Sequence, residues 1–195
     1  MVEPAPFSPS LRIVAIGGTV RKGSMTERAL EYALRPVKSA GASIDIFDGS
    51  YLAALPHYGG AHGVKEAGAR LVEAVRGADG IMLAAPGYHG TVSGLVKNAL
   101  DYLEELSRDE RPYLDGRAVG LIATARGDQA AMGTMQTLRG IVHALRGWPT
   151  PMGATIRTTP DLFDADGDCT DPRAAAGLET VGRQTLQGAL AFARS

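Results

Sequence analysis

The 195-residue chain carries a single cysteine, Cys169. One thiol excludes an intramolecular disulfide and any zinc or iron–sulfur site built from several cysteines. It suits a reducing compartment, so a cytoplasmic protein is expected. Long apolar runs are missing too: no stretch reaches about 18 residues, and no transmembrane helix is expected. The first ten residues, MVEPAPFSPS, hold Pro4, Pro6 and Pro9 and no apolar h-region. They read as a flexible N-terminal arm, 1–10, rather than a secretory signal. Nor does charge of one sign prevail. Twenty Lys and Arg face 21 Asp and Glu, a net charge of -1. That balance lacks the basic excess of a nucleic-acid binder and the acidity of a typical small electron carrier. What is present is a hydrophobic share of 45% and 25 glycines, enough for one sizeable core in a single domain, 11–195.

Strand and helix patterns alternate along that domain. LRIVAI, Leu11 to Ile16, is a short branched apolar run closed by Gly17-Gly18 and reads as a buried strand. Ala29, Leu30, Ala33, Leu34 and Val37 share a helical face, with Pro36 ending or kinking the helix. SIDIF, Ser43 to Phe47, is a second strand, followed by a looser segment from Asp48 to His62. Val64, Ala67, Leu71, Val72 and Val75 mark a second helix. GIMLA, Gly80 to Ala84, is a third strand, stopped by Pro86-Gly87. Val92, Leu95, Val96, Ala99, Leu100, Leu103 and Leu106 mark a third helix, over 92–106. RAVGLIAT, Arg117 to Thr124, is a fourth strand. Met132, Met135, Leu138, Val142 and Leu145 mark a fourth helix, and Met152 to Ile156 a fifth strand. An acidic loop spans Asp161 to Pro172. Leu178, Val181, Thr185, Ala189 and Phe192 mark a last helix. Apolar strands alternating with amphipathic helices imply an α/β fold with a parallel sheet covered on both faces. Five strands point to a flavodoxin-like sheet of order 2-1-3-4-5, with its ligand beyond the carboxyl ends of the strands.

Three turns at those ends carry unusual residues. The first runs from Gly17 through Thr19, Arg21, Lys22, Gly23, Ser24 and Thr26 to Glu27. Ser24 and Glu27 have capping-box spacing, so a helix starts at Ser24 with free N–H groups and a positive dipole end toward the turn. Hydroxyls of Thr19, Ser24 and Thr26 and the charges of Arg21 and Lys22 suit a phosphate monoester. The bland alternative is an ordinary helix cap with solvated basic residues. The turn is neither a Walker loop nor a GxGxxG fingerprint. The second turn is Ala85-Pro86-Gly87-Tyr88-His89-Gly90-Thr91-Val92-Ser93-Gly94. Its glycines let backbone approach a flat ligand, with Tyr88 and His89 adding ring surface and polar groups. Singly, Tyr88 is as readily a packing residue and His89 a surface one. The third turn is Thr124-Ala125-Arg126-Gly127-Asp128-Gln129, in which Arg126 and Asp128 would pair weakly on the surface.

With the first two turns in view, the chain resembles the NAD(P)H-dependent FMN reductase family, flavodoxin-like enzymes that include quinone and azo-dye reductases. The family's first turn reads roughly G-S-x-R-x-x-S-x-N, filled here by Gly18, Thr19, Arg21, Ser24 and Thr26. Its second reads P-x-Y-N-G-S-x-P-G-x-L-K-N, matched by Pro86, Tyr88, Gly90, Gly94, Lys97 and Asn98. His89 stands for Asn, Thr91 for Ser, Ser93 for Pro and Val96 for Leu. The likeness covers roughly residues 11 to 156. It implies FMN, with Thr19, Arg21, Ser24, Met25 and Thr26 around the phosphate. Pro86, Gly87, Tyr88, His89 and Gly90 would border the ring, and Ala125 and Gly127 would add backbone contacts. Arg126 departs from the family's Gly-rich third turn; it would meet a pyridine-nucleotide phosphate or shape the second substrate's pocket. The implied reaction is hydride transfer from NADPH or NADH to FMN, which performs the redox chemistry itself. His89 is a candidate proton or hydrogen-bond donor to an acceptor. Reduced flavin would be released, for instance to a monooxygenase, or oxidised by a quinone, azo or nitroaromatic compound. A homodimer or homotetramer is implied, with a subunit contact along the exposed edge of the 92–106 helix. Two other readings stay open: an electron carrier without NAD(P)H activity, and an interaction module that has lost its flavin.

Other features have plainer readings. Asp164, Asp166, Asp168 and Asp171 suggest calcium, yet a loop starting at Asp164 has Cys169 and Ala175 where an EF-hand needs Gly and Glu; no metal site is expected. Cys169, beside aspartates, is a poor nucleophile. His57, Tyr58 and His62 read as surface residues, His143 as a packing residue, and Trp148 as an anchor for the entry to the fifth strand.

Overall fold

The computed structural model describes residues 11–59 and 64–193. The N-terminal arm and His62 lie outside them. Strand β1, Arg12–Gly17, has Ile13, Val14, Ala15 and Ile16 fully buried, as a central parallel strand covered on both faces requires. With β2 (Ser43–Phe47), β3 (Gly80–Tyr88), β5 (Ala118–Ala125) and β6 (Trp148–Arg157) it forms a parallel sheet of order β2-β1-β3-β5-β6. Counting only these five, the order is the expected 2-1-3-4-5. The addition is β4, Thr91–Val92, a two-residue strand antiparallel to the end of β3.

The sheet separates two cores. On one face, α1 (Met25–Ala33), α2 (Arg35–Ser39) and α7 (Pro172–Phe192) cover Ile13, Ala15, Met82 and Ile122. On the other, α3 (Gly49–Ala54), α4 (Val64–Arg76), α5 (Gly94–Asp101) and α6 (Asp128–Ala144) cover Val14, Ile16, Leu83 and Leu121. Alternate residues of each strand thus feed opposite layers. Among the described residues no helix is long and apolar enough to cross a membrane.

Several sequence expectations shift. The first helix breaks at Leu34, and Pro36 sits in the first turn of α2, where its missing N–H costs nothing. The looser segment contains α3, nucleated by Asp48, whose carboxylate accepts from Tyr51 N–H at 2.8 Å. On α4 Ala67 is exposed and Gly68 takes the buried place, because any Cβ there would stand 1.9 Å from the Tyr102 ring. Pro86 does not stop β3. β1 ends opposite Ala84, so β3 has an open edge at Pro86 and tolerates proline while still pairing with Thr124. The 92–106 stripe is buried, but as three pieces: Val92 in β4, then α5, then a 3-10 turn from Tyr102 to Leu106. On α6, Met132 is half exposed and His143 exposed, while Ala131, Thr134, Met135, Leu138 and Val142 form the buried stripe. Trp148 opens β6 as expected yet remains 59% exposed, stacked near Phe192.

Candidate functional site

A cleft of about 610 Å³ opens beyond the carboxyl ends of β1, β3 and β5, within the usual size of small-molecule sites. All three turns reach it. Thr19, Arg21, Ser24, Met25 and Thr26 line it from the first, Pro86, Gly87 and Tyr88 from the second, and Ala125 and Gly127 from the third. Sequence reasoning missed Val20, Ala130 and Thr158. Thr158 follows β6, and its N–H binds Ala125 O at 2.8 Å; applying the carboxyl-end rule to the fifth strand would have found it.

The first turn is tightly tied. Gly18, at φ +124°, packs against Gly49, where a Cβ would lie 2.9 Å from the Gly49 nitrogen. Thr19 Oγ1 accepts from Arg21 N–H and donates to Arg21 O, both at 3.2 Å. Ser24 caps α1 by accepting from Glu27 N–H at 3.3 Å. Glu27 returns its carboxylate not to Ser24 but to Gly23 N–H, at 2.6 Å. That variant of the box leaves the amides of Met25 and Thr26, both cleft-lining residues, at the positive end of α1. Thr26 Oγ1 lies 2.7 Å from Thr124 Oγ1, both residues buried. A hydroxyl has one proton to give. Thr19 spends its own on Arg21 O. Ser24 keeps its proton, and one proton of the Thr26–Thr124 pair is uncommitted. The expected phosphate donors therefore reduce to Ser24, the α1 amides and exposed Arg21, with one hydroxyl from the pair. Arg28, on α1, is not among the cleft-lining residues. It donates to Asp164 O and covers the Phe163 ring at 5.3 Å, pinning the acidic loop to α1. Within that loop, the Asp164 carboxylate accepts from Asp166 and Asp168 N–H, at 3.0 and 2.8 Å.

The second turn is a two-residue hairpin. Tyr88 pairs with Thr91, and His89 and Gly90 have φ +51° and +87°, the signature of a type I′ turn. His89 thus takes the left-handed place that Asn fills best, and neither it nor Gly90 is among the cleft-lining residues. Gly90 instead borders a shallower groove with Gln129, Met132 and Gln136. Gly87 is pressed on α6: a Cβ there would meet Thr134 Oγ1 at 2.6 Å. Lys97 and Asn98, matched in the second motif, are scaffolding. Lys97 pairs with Asp101. Asn98 accepts from Tyr58 N–H at 2.9 Å and donates to Pro56 O at 3.0 Å, holding the segment after α3 against α5.

In the third turn Arg126 lines the cleft and is exposed. Among the described residues no ion pair joins it to Asp128. The lining as a whole contains two guanidinium groups, Arg21 and Arg126, five Ser and Thr side chains, and no carboxylate. It fits an anionic ligand with a flat body, because Pro86, Gly87 and Ala125 offer low relief while Tyr88, 53% exposed, offers a ring at the mouth.

Elsewhere, burial pushes the Cys169 thiol up, and no group of three or more potential metal ligands occurs among the described residues.

Known proteins share this sequence pattern and fold. An NAD(P)H-dependent FMN reductase of Pseudomonas aeruginosa is 30% identical over 177 residues, covering 86% of this chain and 89% of its own. An NADPH azoreductase of a Bacillus species is 30% identical over 134 residues, covering 66% of each chain. Among solved structures, the flavoenzyme NAD(P)H:(acceptor) oxidoreductase FerB of Paracoccus denitrificans has a TM-score of 0.72 at 19% identity, covering 91% of this chain and 98% of its own. The fold is shared with flavodoxins as well. The family model described as NADPH-dependent FMN reductase matches residues 11–159, the span from β1 to the residues just past β6, and the chain belongs to that family.

Proposed function

We propose that this chain is an NAD(P)H-dependent FMN reductase that binds FMN in the cleft beyond β1, β3 and β5. The observation that carries the reading is the lining itself: the start of α1 with the Ser24 hydroxyl, two arginines and no carboxylate, beside a flat wall of Pro86 and Gly87. Bound FMN supplies the redox chemistry, taking a hydride from NADPH or NADH. The protein's part is placement. Ser24, the first-turn amides of α1 and Arg21 hold the phosphate by charge-assisted hydrogen bonds. The Pro86–Tyr88 strand end and the Ala125–Gly127 backbone fix the plane of the ring, and Gly87 keeps that wall low by resting on Thr134. No acid–base pair is required of the lining, and none is built there.

The mouth is open beside Tyr88 and the groove containing Met132, which are 53% and 50% exposed. That leaves room for a flat acceptor, so a quinone, azo or nitroaromatic compound is a suitable terminal oxidant, in line with the azoreductase similarity. Release of reduced flavin to a monooxygenase is the other outlet. The same reading includes a cytoplasmic location, supported by the lone cysteine, and a homodimer or homotetramer, testable by light scattering. The decisive experiment is a visible absorption spectrum of purified protein titrated with FMN, with NADPH and NADH consumption followed alongside. Absence of both flavin binding and flavin-dependent nucleotide oxidation would sink the proposal.

A further inference from the structure

The cleft holds one guanidinium more than a phosphate monoester at the start of α1 requires. Arg21 belongs to the turn that carries that helix start. Arg126 belongs to a different turn, after β5, and β1 and β5 are not neighbours, because β3 runs between them. Two strand spacings, roughly 10 Å, therefore separate the strands from which the two turns spring. Arg126 is exposed, makes no ion pair among the described residues, and faces a lining without a single Asp or Glu. Asp128, two residues on at the start of α6, does not line the cleft.

We infer that Arg126 selects the phosphorylated nicotinamide nucleotide by binding its 2′-phosphate; this rests on the FMN-reductase reading of the cleft. A planar guanidinium pairs with a terminal phosphate through two parallel hydrogen bonds. Sites that select the unphosphorylated nucleotide place a carboxylate on the ribose hydroxyl, which would repel the extra phosphate. The cleft lining supplies the cation and holds no carboxylate. Ala125 and Gly127, on either side, present backbone to the ring, so one short turn serves both ligands: its main chain the flavin, its side chain the nucleotide.

The test uses FMN-loaded protein. Binding of 2′,5′-ADP and of 5′-ADP is measured by calorimetry, and kcat/KM is measured for NADPH and NADH, in the native protein and in Arg126→Gln and Arg126→Lys. The native protein should prefer 2′,5′-ADP. Arg126→Gln should cut that preference, and the NADPH-to-NADH ratio of kcat/KM, about tenfold, the loss of one charge-assisted contact. Arg126→Lys should restore part of both. Raising salt should shrink the native preference, because the group is exposed. Equal losses with both nucleotides would overturn the inference and place Arg126 on a phosphate they share. Loss of FMN affinity with an unchanged ratio would overturn it in favour of the flavin phosphate. A native protein that binds FMN yet shows no nucleotide preference would overturn it too. Absence of any flavin binding would instead count against the proposed function.

Discussion

Thr26 and Thr124 stand 98 positions apart in the chain, and their hydroxyls meet at 2.7 Å in the wall of the cleft, both residues being nearly fully buried. Replacing one of them by valine strands the other's hydroxyl without a partner, a desolvation cost of about 1–2 kcal/mol. Removing both leaves two apolar side chains in contact. Thr26→Val should therefore lower the urea midpoint clearly. Thr26→Val with Thr124→Val should cost less than the two single changes summed, and a double-mutant cycle by denaturation measures the difference. The sequence assigned Thr26 to the phosphate because it follows Ser24 in the motif. Its partner lies in another turn, and no local pattern marks such a pair. Ser24, by contrast, was legible, because a cap and its Glu three residues on are local chemistry. His89 is a mixed case. Its place in the second motif was readable, but its φ of +51° was not. Asn at that position of a type I′ turn is favoured over His. His89→Asn should raise the thermal midpoint by about 1–3 °C, an effect of several tenths of a kcal/mol in a chain of this size.

At the scale of elements, the central strands β1, β3 and β5 were readable because each is a near-continuous apolar run buried on both sides, whereas the edge strands β2 and β6 are only partly buried. What escaped were elements set by single residues. Helix α3 has six residues, too few to show a period, and depends on the Asp48 cap. β4 exists because the His89–Gly90 turn reverses the chain. The amino end of β5 hides the largest surprise. Arg117 reads as a charged residue opening a strand, yet it is 1% exposed. Its guanidinium donates to Ala78 O at 3.1 Å, Arg76 O at 2.7 Å, Tyr113 O at 3.2 Å and Asp115 O at 3.3 Å. It clips the end of α4 and the 113–115 turn to the sheet at the side opposite the cleft. Arg117→Met keeps much of the volume and leaves those carbonyls without their donor. The expected loss is about 3 kcal/mol, roughly a 10 °C fall in the thermal midpoint. Scanning calorimetry decides it; a fall of only a degree or two would show that water replaces the clip.

Over the whole molecule, two groups far from the cleft set opposing responses to alkali. Tyr58 donates to Glu105 at 2.7 Å, and that hydrogen bond, with burial, pushes its phenol up to about 12 from an ordinary 10.0. The folded state holds this proton where the unfolded chain releases it. Its stabilisation is complete below about pH 10 and is lost as pH rises through about 12. Burial raises Tyr32 and Tyr102 in the same direction. Arg117 runs the other way. Burial lowers its guanidinium to about 10, so above that pH the folded protein gives up a proton that the unfolded chain retains. Its contribution rises with pH across the interval in which Tyr58's falls. Native stability should therefore decline only gently between about pH 10 and about 12, the three tyrosines outweighing one arginine. Tyr58→Phe should flatten that decline, and Arg117→Met should steepen it, each compared with its own midpoint near pH 9 by urea denaturation. Because the two slopes move in opposite directions from the native one, general weakening of the fold does not reproduce the pattern; two slopes shifted the same way would mean that these protons are not the ones that matter.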